Sequence, residues 1–424
     1  MGRIPNIDTL TPAFRRKKTV IGASLRRRRP IAAIARLARE RGIRAWLVGG
    51  APRDRLLGRP GLDADFAVSR DAEGLARALE EQGFGRAVLI SESRPRVYRV
   101  AGRMPIDLAE LEGSAVEQDL ARRDFTANAI AIDLETGAWI DPFGGAADIA
   151  GRRLRLVRES NLAEDPLRAF RAARLYATHR LVPDEATRKA CLAIAPRLET
   201  VAAERIQAEL SKMLEADRVA TPFRWARSAG LLSPALGLPA AAARWDAACL
   251  NLARLERRQT ATLPNGRRRL VRLAAIAAGL GLSPAEASKW LRRLRHGRAE
   301  AGVVARLLEL AAALPLASTE QRRWAWLYDA ASLAPDALTL TEAAYPGRRP
   351  LVRRARRLWL ARRRGPGVSG ADVIRWLGET PGPAVGRLLR DVRIELLRGA
   401  IRTRTQARAW LRSRAPGASR ARRR

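Results

Sequence analysis

Residues 47–58, LVGGAPRDRLLG, followed by 62–66, LDADF, decide how the first half of this chain folds. A short apolar strand runs into Gly49 and Gly50, and Pro52 stands where a helix can begin. Two glycines let backbone approach a ligand closely, and the unpaired N–H groups of a following helix turn favour phosphate. Asp63 and Asp65 then sit at strand spacing, alternating with Leu62, Ala64, Phe66 and Val68. That places both carboxylates on one face and the apolar set in the core. Two like charges side by side on a strand are costly unless a cation neutralises them, and Mg2+ takes such hard oxygen donors together with phosphates. A solvent-facing Asp-x-Asp pair is the plain structural alternative.

Outward from this stretch, residues 31–158 alternate helix-like and strand-like pieces: IAAIARLARERG, RAWLVGG, LDADFAVS, AEGLARALEEQG, RAVLISES and MPIDLAEL. This is a mixed α/β unit. Beyond about Ser160 the strand signals fade. Ala-, Leu- and Arg-rich helical spacing takes over, broken at LVPDEAT, GLLSPALGLPA, TLPNGRR, SLAPDALTL, RRGPGVSG and TPGPAVG. The expected class is α+β, with an all-helical second half and no fixed-period repeat. Residues 1–30 and the acid-free end after Glu395 read as basic arms.

Three further groups carry chemistry. Asp107, between Ile106 and Leu108 on an expected strand, is a third carboxylate that can converge with Asp63 and Asp65, or an ordinary exposed strand residue. In ARRDFTANAIA, Arg122 and Arg123 precede Asp124, and Asn128 lies one helical turn beyond. The planar arginine fork suits phosphate, and Asn128 suits a sugar hydroxyl. In EDPLRAFRAAR, Asp165 is an expected cap for a helix beginning at Pro166, with Arg168, Arg171 and Arg174 stepping along it. An Asp acceptor beside an Arg donor can match the edge of a base, so a nucleotide can be read without a nucleic-acid template.

The 424 residues include 80 Lys plus Arg against 43 Asp plus Glu, a formal net charge of +37 that suits a polyanionic partner such as RNA. Arginine-heavy base composition is the other source of such a charge. Two cysteines, Cys191 and Cys249, and two histidines, His179 and His296, cannot assemble a structural zinc site or a disulfide framework. With no apolar run near the roughly 20 residues a bilayer needs, and no apolar leader, a soluble cytoplasmic protein is expected.

The ordered set LVGGAPRD with LLGRPGLDADF, RRDFTANAIA and EDPLRAFRAAR resembles the class II tRNA nucleotidyltransferase and bacterial poly(A) polymerase family. The similarity covers roughly residues 44–235, including ERIQAELSKML. It implies a polymerase-beta-like nucleotidyltransferase head (31–158), then helical neck (159–235), body (236–380) and tail (381–424), in a seahorse-like shape. It further implies Mg2+ held by Asp63 and Asp65, triphosphate held at Gly50 and Arg53, and nucleotide contacts from Arg122, Arg123, Arg171 and Arg174. Base selection falls to Asp165 and Arg168, and the substrates are ATP, CTP and the 3′ end of tRNA. The stretch between Asp107 and Arg122, LAELEGSAVEQDLA, is shorter than is usual in full CCA-adding members, a shortening that in the family accompanies enzymes adding only the terminal A and is shared by some related branches. The expectation is therefore a CCA-adding or an A-adding enzyme. A poly(A) polymerase, or an inactive RNA-binding protein keeping the fold, are the alternatives.

Overall fold

A computed structural model describes residues 29–59, 64–92, 95–257, 263–314, 319–362 and 367–414. The basic arm as far as residue 28, the last ten residues and Asp63 lie outside the described residues.

Strand β1 (Ala45–Val48), helix α2 (Gly50–Leu56) and strand β2 (Ala64–Val68) form the centre of the first half, after helix α1 (Arg29–Glu40). Helix α2 begins at Gly50 rather than at Pro52, because proline's fixed φ and missing N–H are both tolerated anywhere in a first turn. Helix α3 (Ala72–Glu81), capped by the Asp71 side chain on Gly74 N, leads to β3 (Arg86–Ser91), β4 (Val97–Ala101) and β5 (Ile106–Glu110). Helix α4 (Val116–Ala121) and the pair β6 (Ala131–Asp133) and β7 (Trp139–Ile140) complete a sheet ordered β3-β4-β5-β2-β1-β6-β7. Within this sheet, among the described residues, β2 and β5 are the one pair that runs parallel, and their register sets Asp65 opposite Asp107.

The sheet buries both faces. On one, Leu47, Phe66, Val68, Ile106 and Leu108 pack with Ile34 and Leu37 of α1 and Leu75 and Leu79 of α3. Each such large side chain contributes roughly 1.5–3 kcal/mol on leaving water. On the other, Trp46, Val48 and Ala67 meet Val116 and Leu120 of α4. Asp65 and Asp107 belong to this second face by strand alternation, beyond the end of its apolar patch.

Strands β4, β6 and β7 were not anticipated. VYRVA alternates visibly, but β6 and β7 are only three and two residues long in AIAIDLETGAWI, where periodicity says little. After α5 (Gly145–Ala150), a two-residue ladder joins β8 (Arg153–Leu154) to β9 (Val182–Pro183), within the segment read as a break. Helices α6 (Ser160–Glu164), α7 (Leu167–His179), α8 (Glu185–Ile194), α9 (Ala203–Glu215), α10 (Ala220–Ser228) and α11 (Leu232–Leu236) follow.

Ten helices continue to Arg414 among the described residues: α12 (Ala242–Arg257), α13 (Asn265–Gly279), α14 (Pro284–Arg293), α15 (Arg298–Ala313), α16 (Glu320–Ala330), α17 (Ala334–Ala344), α18 (Arg349–Ala361), α19 (Gly370–Leu377), α20 (Pro383–Arg398) and α21 (Arg404–Arg414). Helix α14 opens on a capping box between Ser283 and Glu286, with Pro284 in its first turn. Among the described residues, no single helix is long and apolar enough to cross a membrane.

The chain divides into two compact units, one running to Ala216 with Pro222–Pro239, the other Asp217–Thr221 with Ala240 onward. The first holds what we propose as head and neck, the second body and tail. The boundaries at 158, 235 and 380 remain a proposed functional division.

Candidate active site

The first unit contains a cleft of about 490 Å³ into which the quoted motifs converge. Gly49, Gly50, Arg53, Asp65, Arg122, Arg123, Asp124, Asn128, Arg168, Arg171 and Arg174 line it, with Pro95, Asp119, Glu209 and Lys212. Seven cationic side chains thus face four carboxylates, a surplus of positive charge suited to a triphosphate.

Gly49 adopts φ 71°, and a Cβ there would stand 2.9 Å from Arg123 Nη1 and 3.1 Å from Asp65 Oδ2. The turn therefore needs glycine both for its left-handed backbone and for room beneath those two groups. One turn on, Arg53 is buried and donates from Nη1 to Asn128 Oδ1 at 2.5 Å and from Nε to Asp54 Oδ1 at 2.8 Å.

Asn128 lies in a short 3-10 turn, Thr126–Asn128, rather than one α-helical turn beyond Asp124. The RRDFT segment is pinned by the Phe125–Leu156 bridge and by Thr126 N donating to Arg155 O, which leaves no room for a helix. Asn128 still reaches Asp124, its Nδ2 donating to Oδ1 at 2.8 Å. Arg171 Nη1 donates to Asp124 Oδ2 at 3.0 Å. Burial pushes the Asp124 carboxyl up, but the Arg171 charge and the Asn128 and Phe125 donors outweigh it and hold it below the ordinary carboxylate value. Arg123 pairs with Asp119 at 2.9 Å, and Arg122 with Glu112.

Helix α7 brings Arg168, Arg171 and Arg174 to the cleft together. Glu209 of α9, which the sequence reading did not single out, accepts from Arg174 Nε at 2.5 Å and from Arg171 Nε at 3.4 Å. Its signal was a carboxylate at a buried position of ERIQAELSKML, next to Leu210.

Asp165 does not cap α7 in the expected way. Pro166 occupies the cap position, and Asp165, extended at the end of α6, accepts weakly from Leu167 N at 3.3 Å. Its Oδ2 instead takes Arg205 Nη2 at 2.8 Å, and it stands outside the cleft lining, whereas Arg168 lies within it and donates to Asn161 O at 2.9 Å.

Asp107 stands beside Asp65 in register, but Arg99 donates to both its oxygens, at 2.7 and 2.6 Å. Among the described residues no three His, Cys, Asp or Glu side chains cluster to hold a metal. Asp65, exposed at the cleft wall, carries hard oxygen donors of the kind Mg2+ takes, and Asp107 is bound through both its oxygens by Arg99. The residues fit a divalent cation at Asp65, with Asp63 outside the described residues.

Residues 45–155 match the description "Poly A polymerase head domain", and residues 181–243 match "Probable RNA and SrmB- binding site of polymerase A". A CC-adding tRNA nucleotidyltransferase of Geobacter sulfurreducens is 35% identical over 89% of this chain and 94% of its own length. The chain belongs to the tRNA nucleotidyltransferase and poly(A) polymerase family. Within that family, an A-adding tRNA nucleotidyltransferase of Deinococcus radiodurans is 32% identical over 87% of this chain and 94% of its own. The solved CCA-adding enzyme of Bacillus stearothermophilus in complex with CTP superposes with a TM-score of 0.67 at 26% identity, covering 98% of this chain and 99% of that one. The family's nucleotidyltransferase head and helical remainder are thus the fold of this chain, and nucleotidyltransferases of this kind generally use a divalent metal.

Proposed function

We propose that this nucleotidyltransferase adds nucleotides to the 3′ end of tRNA without a nucleic-acid template, and that the nucleotide it adds is C. The observation that carries the activity is the single cleft in which Arg53, Arg123, Arg168, Arg171 and Arg174 surround the Gly49–Gly50 turn and Asp65. The base preference is supported by the 35% identical relative, which is named a CC-adding enzyme. The short stretch before Arg122 pointed instead to A addition, a second reading favoured by the 32% identical A-adding relative. In the structure only residues 111–115 separate β5 from α4.

In the proposed reaction the RNA 3′-hydroxyl attacks the α-phosphate of bound CTP. The bond from that oxygen to phosphorus forms, the bond from phosphorus to the bridging oxygen breaks, and pyrophosphate leaves with its charge while the hydroxyl proton passes to solvent. Arg53 and the Gly50 backbone hold the triphosphate, and Arg122 and Arg123 lie along it. Asp124 and Asn128 hold Arg53 and Arg171 in place, and Asn128 also faces the sugar. Arg174 and Arg171, steadied by Glu209, complete the nucleotide's surroundings, and Arg168 reads the base, joined by Asp165 once its Oδ2 leaves Arg205.

Asp63 and Asp65 would hold Mg2+, with Asp107 the neighbouring third carboxylate once Arg99 turns aside. Bound there, Mg2+ would supply a lowered pKa for the attacking hydroxyl and a charge to offset the phosphates. The arginine-rich helices of the second unit grip tRNA through its phosphates.

The test is incorporation of labelled CTP and ATP into tRNA transcripts ending before CCA, after C and after CC, with Mg2+. Two C additions and no A support the reading. A single A on the last transcript alone replaces it with A addition, long A tails indicate a poly(A) polymerase, and no incorporation removes the catalytic reading.

A further inference from the structure

The reaction above uses neither of the chain's two histidines. One of them, His179, sits against the phosphate-binding turn. Arg53 reaches Asp54 Oδ1 through both Nε and Nη2, at 2.8 and 2.7 Å. The same oxygen receives His179 Nε2 at 3.0 Å, from the last residue of α7. On its far side the ring places Nδ1 2.7 Å from Thr178 Oγ1.

The helix end that carries this ring is itself clamped. Arg59 donates to Thr178 O at 2.7 Å, Arg152 donates to His179 O at 3.2 Å, and Arg180 closes the helix with φ 58°. Burial pushes the His179 pKa down, only partly offset by Asp54, and the nearby Arg53 and Arg174 charges lower it further. The ring is therefore neutral near pH 7. A neutral imidazole facing a carboxylate must carry its proton on Nε2, while the Thr178 hydroxyl beside Nδ1 donates to Arg174 O at 2.8 Å. Asp54 stays ionised, since the His179 hydrogen bond and the Arg53 charge outweigh burial.

We propose that His179 is a positioning residue, holding the Asp54 carboxylate so that Asp54 aims the Arg53 guanidinium at the nucleotide's phosphates. The inference rests on the phosphate-binding role proposed for Arg53. With Asp54 fixed by His179 on one side and Asn128 taking Nη1 on the other, Arg53 enters binding already ordered. Without His179, part of the binding free energy goes into ordering it.

The experiment compares His179→Leu, which fills the space without a donor, and His179→Gln, whose amide can donate to Asp54. CTP KM and tRNA KM are measured with Mg2+, and CTP binding without tRNA is measured by calorimetry. His179→Leu is expected to raise the CTP KM and Kd about three- to tenfold, the net value of one ordinary hydrogen bond acting through Asp54, with the tRNA KM unchanged. His179→Gln is expected to restore both to within about twofold.

An unchanged CTP Kd in His179→Leu overturns the inference. So does an equal loss in both variants, or a lowered melting temperature with CTP binding intact, since either marks a merely structural histidine. A wild-type protein that binds CTP but incorporates nothing, with His179→Leu binding more weakly, removes the proposed reaction and keeps the positioning role. A wild-type protein that binds no CTP removes both.

Discussion

Asp65 is the described residue on which the chemistry turns. It stands at the end of a buried strand, where carboxylate oxygens face the cleft rather than the core. Asp65→Asn keeps the shape and removes the charge, so incorporation is expected to fall roughly a hundredfold or more while tRNA affinity holds, read by parallel extension and gel-shift assays. Asp124 is electrostatic support of another kind. Its carboxyl lies below the ordinary value despite burial, so the folded state binds its proton less readily than the unfolded chain. The stabilisation is fully present above the ordinary carboxylate pKa of 3.8 and is lost as pH falls through the lower folded value. Asp124→Asn should therefore flatten the acid limb of a melting-temperature profile below about pH 4, and a limb of unchanged steepness would count against Asp124 as its source.

Elements decide what the cleft sees. Helix α7 delivers three arginines because α9 packs along it and offers Glu209 between two of them. Removing Glu209 leaves Arg171 and Arg174 repelling each other across a partly wet site. Glu209→Ala is expected to cost about 2–3 kcal/mol, below the range for fully enclosed pairs, and to lower the melting temperature by several degrees. A melting temperature within one degree of wild type would show that the two arginines find other partners. In the second unit, α18 carries no acidic residue and exposes Arg353, Arg354 and Arg357. Reversing these three to Glu is expected to weaken tRNA binding at least about tenfold while the rate at saturating tRNA stays near wild type, which separates grip from chemistry in one titration.

At the scale of the whole molecule the governing quantity is the charge of +37. If tRNA is held through phosphates, counterion release makes the logarithm of affinity fall linearly with the logarithm of salt. Between about 50 and 200 mM the loss should be roughly ten- to a thousandfold, measurable by filter binding. A flat salt profile would mean that the surplus arginines reflect composition and not a binding surface. Every described candidate residue lies in the first compact unit, and α18 with its exposed arginines lies in the second.

Much of this was legible in the chain before any coordinates. The glycine turn, the alternation around Asp65 and the spacing of Arg168, Arg171 and Arg174 are local patterns, and local patterns survive in one dimension because they depend on backbone period and residue type alone. The α+β class and the helical second half follow from the same periods. Other features existed only once distant segments met. β6 and β7, three and two residues long, are too short to announce themselves. Asp165 found Arg205 and Asp107 found Arg99 across neighbouring elements, and Glu209 acquired its role from two arginines on another helix. His179 is a residue at a helix end until the fold sets it 3.0 Å from Asp54. Spacing along the chain determined which residues share a face; only packing decided which charge each of them answers.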